Sequence, residues 1–187
     1  MDIQMFQKGI TSSPLLDNFM KEPCDVNTEV LENAFRRSRK ARPLHQSDML
    51  FFPVLFKNHW FAFVVDIKDR CFVFLDSYYH KDHEFQEYVR ERLIPNFQVH
   101  WDIYVNIDMK FDEYETVYPD VPKQDLENDY DSGIFVMMFL ENWSPRVLLD
   151  NVFDQSDIQK IRIKIANELM FLPNNIGMKN LVIGSHE

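Results

Sequence analysis

Between residues 49 and 77 the chain spells three apolar runs in succession: Met49–Phe56, His59–Ile67 and Cys71–Ser77. Only Lys57-Asn58 and Lys68-Asp69-Arg70 separate them, gaps that leave room for tight turns and nothing longer. The runs are rich in Phe and Val, residues that fit a pleated, buried surface. The second and third read as a hairpin. Apolarity is near-continuous instead of alternating, so both faces of this sheet must be covered. The rest of the chain has to supply that cover.

Candidates for it follow from periodicity. Residues 28–40, TEVLENAFRRSRK, place Val30, Leu31, Ala34 and Phe35 on one side, a short helix with a basic tail that Pro43 stops. Glu84–Ile94 sets Phe85, Val89 and Leu93 four apart, a helix closed by Pro95. Trp101–Ile107 alternates Trp101, Ile103, Val105 and Ile107, the pattern of a further strand. Residues 108–131 hold nine acidic residues against two lysines, plus two prolines, and read as a long loop. Gly133–Glu141 is apolar on every side, as a fully buried helix is. Asp157–Leu172 repeats Ile158, Ile161, Ile165, Leu169 and Leu172 at three or four behind a Ser156-Asp157-Ile158-Gln159 capping box. The first two dozen residues are mixed and irregular. The sum is an α+β domain, a central mixed sheet flanked by helices.

Composition sets the outer limits. With 187 residues, 45% apolar and 14% aromatic, one globular domain has ample core. Thirty acidic against twenty basic residues, a formal −10, argue against nucleic acid or an anionic membrane as partner. No apolar stretch is long enough for a bilayer, and the start lacks the pattern of a secretory signal. Two cysteines, Cys24 and Cys71, make no disulfide framework. The expectation is a reduced, intracellular protein of nucleus or cytoplasm. The four glycines, at 9, 133, 177 and 184, are too widely spaced for a dinucleotide loop, a phosphate loop or a hydrolase nucleophile elbow.

Chemistry belongs where ionisable residues meet the edges of apolar elements. His59 opens the second strand and Asp76 follows the third, so a hairpin makes them neighbours. A carboxylate beside an imidazole fixes its tautomer. Ser132 precedes the apolar helix, at the positive end of its dipole, where backbone N–H groups face an oxyanion. Gln124 offers an amide donor just upstream. Singly, each has a plain reading as packing residue, turn former or helix cap.

Together they resemble a known pattern. His59-Trp60, then Leu75-Asp76-Ser77 seventeen residues on, then Pro122-Lys123-Gln124, then Asp131-Ser132-Gly133-Ile134-Phe135-Val136 stand in order. That order resembles the ubiquitin-like-protein-specific cysteine peptidases, the Ulp/SENP family that matures and deconjugates SUMO. The resemblance implies a papain-like cysteine-peptidase core over residues 48–175, an N-terminal extension over 1–47 and a tail over 176–187. It implies His59 as general base, Asp76 as its orienting partner, Gln124 as oxyanion donor and position 132 as nucleophile. Trp60 would line the channel for a Gly-Gly tail, and the partner would be a ubiquitin-like modifier or a protein carrying it. No cofactor or metal is implied.

Three departures qualify that reading. The nucleophile position is serine, and a hydroxyl does not ionise beside a histidine suited to a thiol, so the chain as written is expected to be inactive. Either a natural cysteine was replaced so that a complex survives, a reading favoured by the intact His59, Asp76 and Gln124, or the nucleophile was lost naturally. Gln124 precedes Ser132 by eight positions, two more than the family's usual spacing. No Trp precedes Trp60 to close over the tail. The alternative is a natural pseudoprotease, a binding module that keeps the fold. A calcium loop over 125–136 fails at its glycine and its last glutamate, and His80 with His83 has no cysteine nearby for zinc.

Overall fold

A computed structural model describes residues 3–5, 20–21, 29, 32–33, 35, 43–128, 130–173, 175 and 177. The three apolar runs form strands β2 (Met49–Phe56), β3 (His59–Asp66) and β4 (Cys71–Leu75), paired antiparallel in that order. Lys57 and Asn58 both take positive φ, 47° and 66°, the two-residue turn whose twist matches right-handed strands. Strand β1 (Ile3–Met5) adds in parallel beside β2, and β5 (Glu115–Val117) in parallel beside β4, giving the order β1-β2-β3-β4-β5.

Side-chain alternation then sorts the core into two layers. Phe52, Val54, Phe61, Phe63, Val65, Phe72 and Phe74 face one way; Phe51, Ala62, Val64, Val73 and Leu75 face the other. Helix α1 (Glu84–Tyr104) covers the first face with Phe85, Val89, Leu93, Phe97 and Trp101. The Phe97 ring lies 5.7 Å from Phe52 and 6.1 Å from Phe63, both edge-on, the preferred geometry for aromatic pairs. Helix α2 (Ser132–Asn142) covers the second face with Phe135, Val136 and Phe139. Helix α3 (Ile158–Phe171) packs on α2 and buries only Ile158 fully.

Several elements differ from the sequence reading. Pro95 does not close its helix: α1 continues through it to Tyr104, absorbing the strand expected at Trp101–Ile107. The reason is the four-residue stripe, which runs on unbroken to Phe97 and Trp101. Pro95 lies on the exposed side, where the carbonyl deprived of its donor can turn to water. Ile103, expected to point inward with Trp101, is exposed.

The long acidic loop contains a 3-10 turn, Phe111–Glu113, and β5, because Phe111 is buried in the α1-side layer. Helix α2 is not fully buried; Ile134, Met137, Met138 and Leu140 remain partly open. The capping box before α3 sits two residues earlier, on Asp154 and Asp157. Within the expected irregular N-terminus, Ile3–Met5 is a strand. Of the helix expected at 28–40, Glu29, Glu32, Asn33 and Phe35 are helical, with Phe35 buried 5.4 Å from the Tyr104 ring; the remainder lies outside the described residues. Among the described residues no helix is long and apolar enough to cross a membrane.

Candidate active site

The pleat decides which side chains meet. On β3, His59 shares the α1 face with Phe61 and Phe63, while Trp60 turns to the α2 face. The β3–β4 register pairs Ala62 with Leu75, so Asp76 falls just past the strand end on the α1 face too. His59 Nε2 and Asp76 Oδ1 are 2.8 Å apart, both residues buried. An imidazole with Nε2 on a carboxylate carries its proton there, leaving the Nδ1 lone pair free to act.

The ring is walled by Tyr79, edge-on at 5.0 Å, and by Phe85, edge-on at 5.7 Å. Asp76 is held in turn. Its Oδ1 also accepts from the backbone N–H groups of Tyr78 (2.7 Å) and Tyr79 (2.9 Å), and its Oδ2 accepts from Gln86 Nε2 at 2.5 Å. Lys123 Nζ donates to the Asp76 carbonyl at 2.7 Å. Burial pulls the Lys123 ammonium below its ordinary range, against the pull of Asp76, Asp120 and Asp150.

Ser132 is the first residue of α2, and its Oγ accepts from the backbone N–H of Trp60 at 3.2 Å. A side chain 72 residues away in sequence is thus seated on the residue next to His59. The indole lies against the helix start: a Cβ on Gly133 would stand in van der Waals contact with it, 3.4 Å from Trp60 Cδ1.

Asp131 is the N-cap of the helix through its carbonyl, but its side chain makes no capping bond. Its carboxylate faces α3, accepting from Arg162 Nε at 3.1 Å and Gln155 Nε2 at 2.9 Å, with Asn128 as a further donor. Burial alone would push this carboxyl up; the Arg162 and Gln155 hydrogen bonds, the Arg162 charge and Asn128 more than offset it and hold it below the ordinary carboxylate range.

Gln124 is buried and hydrogen-bonded at both ends of its amide. Its Oε1 accepts from Ser77 Oγ and its Nε2 donates to the Asn128 carbonyl, both at 2.7 Å. The amide donor expected for an oxyanion is therefore bonded to its own loop. Gln124, His59, Tyr78, Tyr79 and Tyr130 line a cleft of about 310 Å³ with Lys57 and Asn58; Ser132, only 2% exposed, is not part of its wall. A larger depression of about 470 Å³, lined by Asp131, Gln159 and Arg162, lacks a histidine, and its one carboxylate, Asp131, is tied to Arg162 and Gln155. Of the two, only the smaller cleft is lined by a histidine, His59.

Other candidates have plainer roles. Cys71 sits at the far end of β4 from Asp76, and burial, reinforced by Asp66, Asp69 and Glu115, pushes its thiol up to about 11, the reverse of an activated nucleophile. His83 caps α1, its Nδ1 accepting from the Phe85 N–H at 3.1 Å. Among the described residues no three His, Cys, Asp or Glu side chains are grouped to hold a metal ion.

Sequence reasoning missed Gln86, Lys123 and Arg162. Gln86 had a signal: it stands three and seven residues before Val89 and Leu93, a polar residue on the apolar stripe.

Known proteins resemble this arrangement. The Ulp1 protease family, C-terminal catalytic domain, matches residues 17–173. Ubiquitin-like-specific protease 1A of Arabidopsis thaliana is 24% identical over 129 residues, 69% of this chain and 24% of the relative, so the chain spans about a quarter of that protein. The fold matches the C-terminal Ulp1 protease domain solved in complex with Smt3, the yeast ortholog of SUMO, with TM-score 0.65 and 21% identity over 89% of this chain and 67% of that one. It also matches the SUMO protease Ulp1 with its catalytic cysteine oxidized to a sulfenic acid, with TM-score 0.67 and 20% identity over 89% and 68%.

Proposed function

The chain belongs to the Ulp1 protease family, and on that premise we propose that it is the framework of a cysteine peptidase that receives the Gly-Gly tail of a SUMO-type modifier, with serine at its nucleophile position. The observation that carries this is the seat of residue 132. Its side-chain oxygen accepts from the amide of Trp60, immediately beside the His59–Asp76 pair.

With cysteine at 132, His59 Nδ1 takes the thiol proton and the sulfur attacks the carbonyl of the last glycine. The tetrahedral oxyanion meets N–H groups at the start of α2, and Gln124 joins them once it leaves Asn128. His59 then protonates the leaving amine, and water, activated by the same nitrogen, hydrolyses the thioester. With serine the first proton transfer fails, because an aliphatic hydroxyl is far less acidic than a thiol. The chain then binds a tail without cutting it, with Trp60 against Gly133 forming one wall of the tail's channel.

A second reading, a natural pseudoprotease that keeps the fold as a binding module, is favoured by the engagement of the Gln124 amide with Asn128.

One experiment separates them: Ser132→Cys beside the unchanged chain, each offered a panel of ubiquitin-like modifiers carrying a C-terminal reporter. The peptidase framework predicts cleavage by the cysteine form alone, reduced about 10²- to 10⁴-fold by a further His59→Ala change. A folded cysteine form that cleaves nothing, yet binds a modifier as the unchanged chain does, leaves the binding module standing.

A further inference from the structure

The Asp76 carboxylate has two oxygens with different duties, and only one faces His59. Oδ1 accepts from His59 Nε2 and from the amides of Tyr78 and Tyr79. Oδ2 accepts from Gln86 Nε2 at 2.5 Å. Gln86 lies in the first turn of α1, is fully buried, and has its backbone N–H fixed on the His83 carbonyl at 2.9 Å.

Its own Oε1 has no hydrogen-bond partner among the described residues. A buried amide that leaves its carbonyl unpaired weakens the fold, and an apolar residue of the same length would spare that cost. The opposite amide orientation would set Oε1 against the carboxylate, so the charge dictates how Gln86 sits. The donor end is the useful one.

We propose that Gln86 is a positioning residue of the site: it holds the plane of the Asp76 carboxylate through Oδ2, so that Oδ1 stays on His59 Nε2 and the neutral imidazole keeps its proton there and its lone pair on Nδ1. Without it, Oδ2 has no side-chain donor, the carboxylate is held by one oxygen alone, and the ring samples both tautomers. The Nδ1–H form has no lone pair to offer residue 132. Gln86 touches neither substrate nor nucleophile; it acts through Asp76. The inference deepens the reading of His59 as the proposed base and rests on it for its bearing on cleavage.

The test separates the two. In the chain as it stands, with Ser132, nitrogen NMR of the imidazole at a pH where it is neutral reports the His59 tautomer without any need for activity. The parent is expected to be held as Nε2–H, and Gln86→Met, confirmed folded by a cooperative melt, is expected to show a mixture. If Gln86→Met does not fold, Gln86→Leu removes the donor without setting a second carboxylate against Asp76 and gives the same readout. In the Ser132→Cys background the same change is expected to lower kcat by roughly tenfold to a hundredfold with KM unchanged, the mark of a misplaced base. An unchanged tautomer in a folded variant overturns the proposal, as does a raised KM at constant kcat. A shifted tautomer with a cysteine form that never cleaves upholds the positioning role and sinks the peptidase reading instead.

Discussion

His59 and Asp76 stand on neighbouring strands of a sheet covered on both faces, whereas Gln124 and Asp131 belong to a connection whose Leu126 and Tyr130 are 75% and 87% exposed. The two parts of one site are therefore held by different physics. On the strands, position follows from register: the pleat and the Phe-rich layer under α1 allow one place for each ring. In the loop, position follows from a few polar ties, and Arg162, Gln155 and Asn128 all converge on the single carboxylate of Asp131. A site built this way has a stiff half and a half that hangs from one knot.

Phe135→Ala puts the largest strain on the comparison. Phe135 is fully buried and seats α2, hence residue 132, on the stiff half. Its truncation should cost about 3–5 kcal/mol in urea unfolding. A cost under about 1 kcal/mol would show α2 to be loosely docked and would place residue 132 with the loop.

Arg162→Ala cuts the knot and should cost about 1–3 kcal/mol, at the lower end because Arg162 is 44% exposed. Amides at 125–131 should then exchange faster with solvent while those of β3 keep their protection. Equal acceleration in both would mean one cooperative body and no distinction. Asp131 is held below the ordinary carboxylate range in the fold, so the stability it contributes is complete above that range and is lost as pH falls through the lowered value. The gap between Arg162→Ala and its parent should close on the same acid limb.

The smallest effect probes a flaw in the stiff half. Asp66, at the end of β3, has no exposure; its Oδ1 accepts from the Asp69 N–H at 2.9 Å and its Oδ2 has no partner among the described residues. Burial pushes its carboxyl up, so the folded state holds the proton more tightly and stability falls as pH rises above the ordinary carboxylate range. Asp66→Asn should therefore stand higher against its parent in stability at pH 7 than near pH 4. Melting curves at the two values decide it, and a lower standing at pH 7 would show that the charge is needed.

Much of the stiff half was legible because register is a local property. Met49, His59 and Cys71 begin strands where the sequence breaks, and a hairpin with a short turn brings position 59 beside position 76. Trp101, Ile103 and Val105 misled because alternation over a few residues also fits part of a helix; the four-residue spacing from Phe85 to Trp101 was the stronger pattern, and Pro95 interrupted the reading but not the helix. Ile3–Met5 and Glu115–Val117 are too short to show a period at all. In the loop, the identity of Gln124 could be read, but its bond to the Asn128 carbonyl depends on a backbone path that no spacing encodes. Gln86 and Arg162 act across elements, and their partners are visible only once the layers are assembled.

Seventeen residues separate His59 from Asp76, and seventy-two separate Trp60 from Ser132. Closing the longer loop costs about 1 kcal/mol more in chain entropy, and hairpins form within microseconds while distant docking waits. During synthesis the strands leave the ribosome with their imidazole and carboxylate already able to pair, and residue 132 emerges later. A chain bearing cysteine there would carry an ordinary thiol through the early part of its assembly, meeting its base only when α2 closes on the sheet.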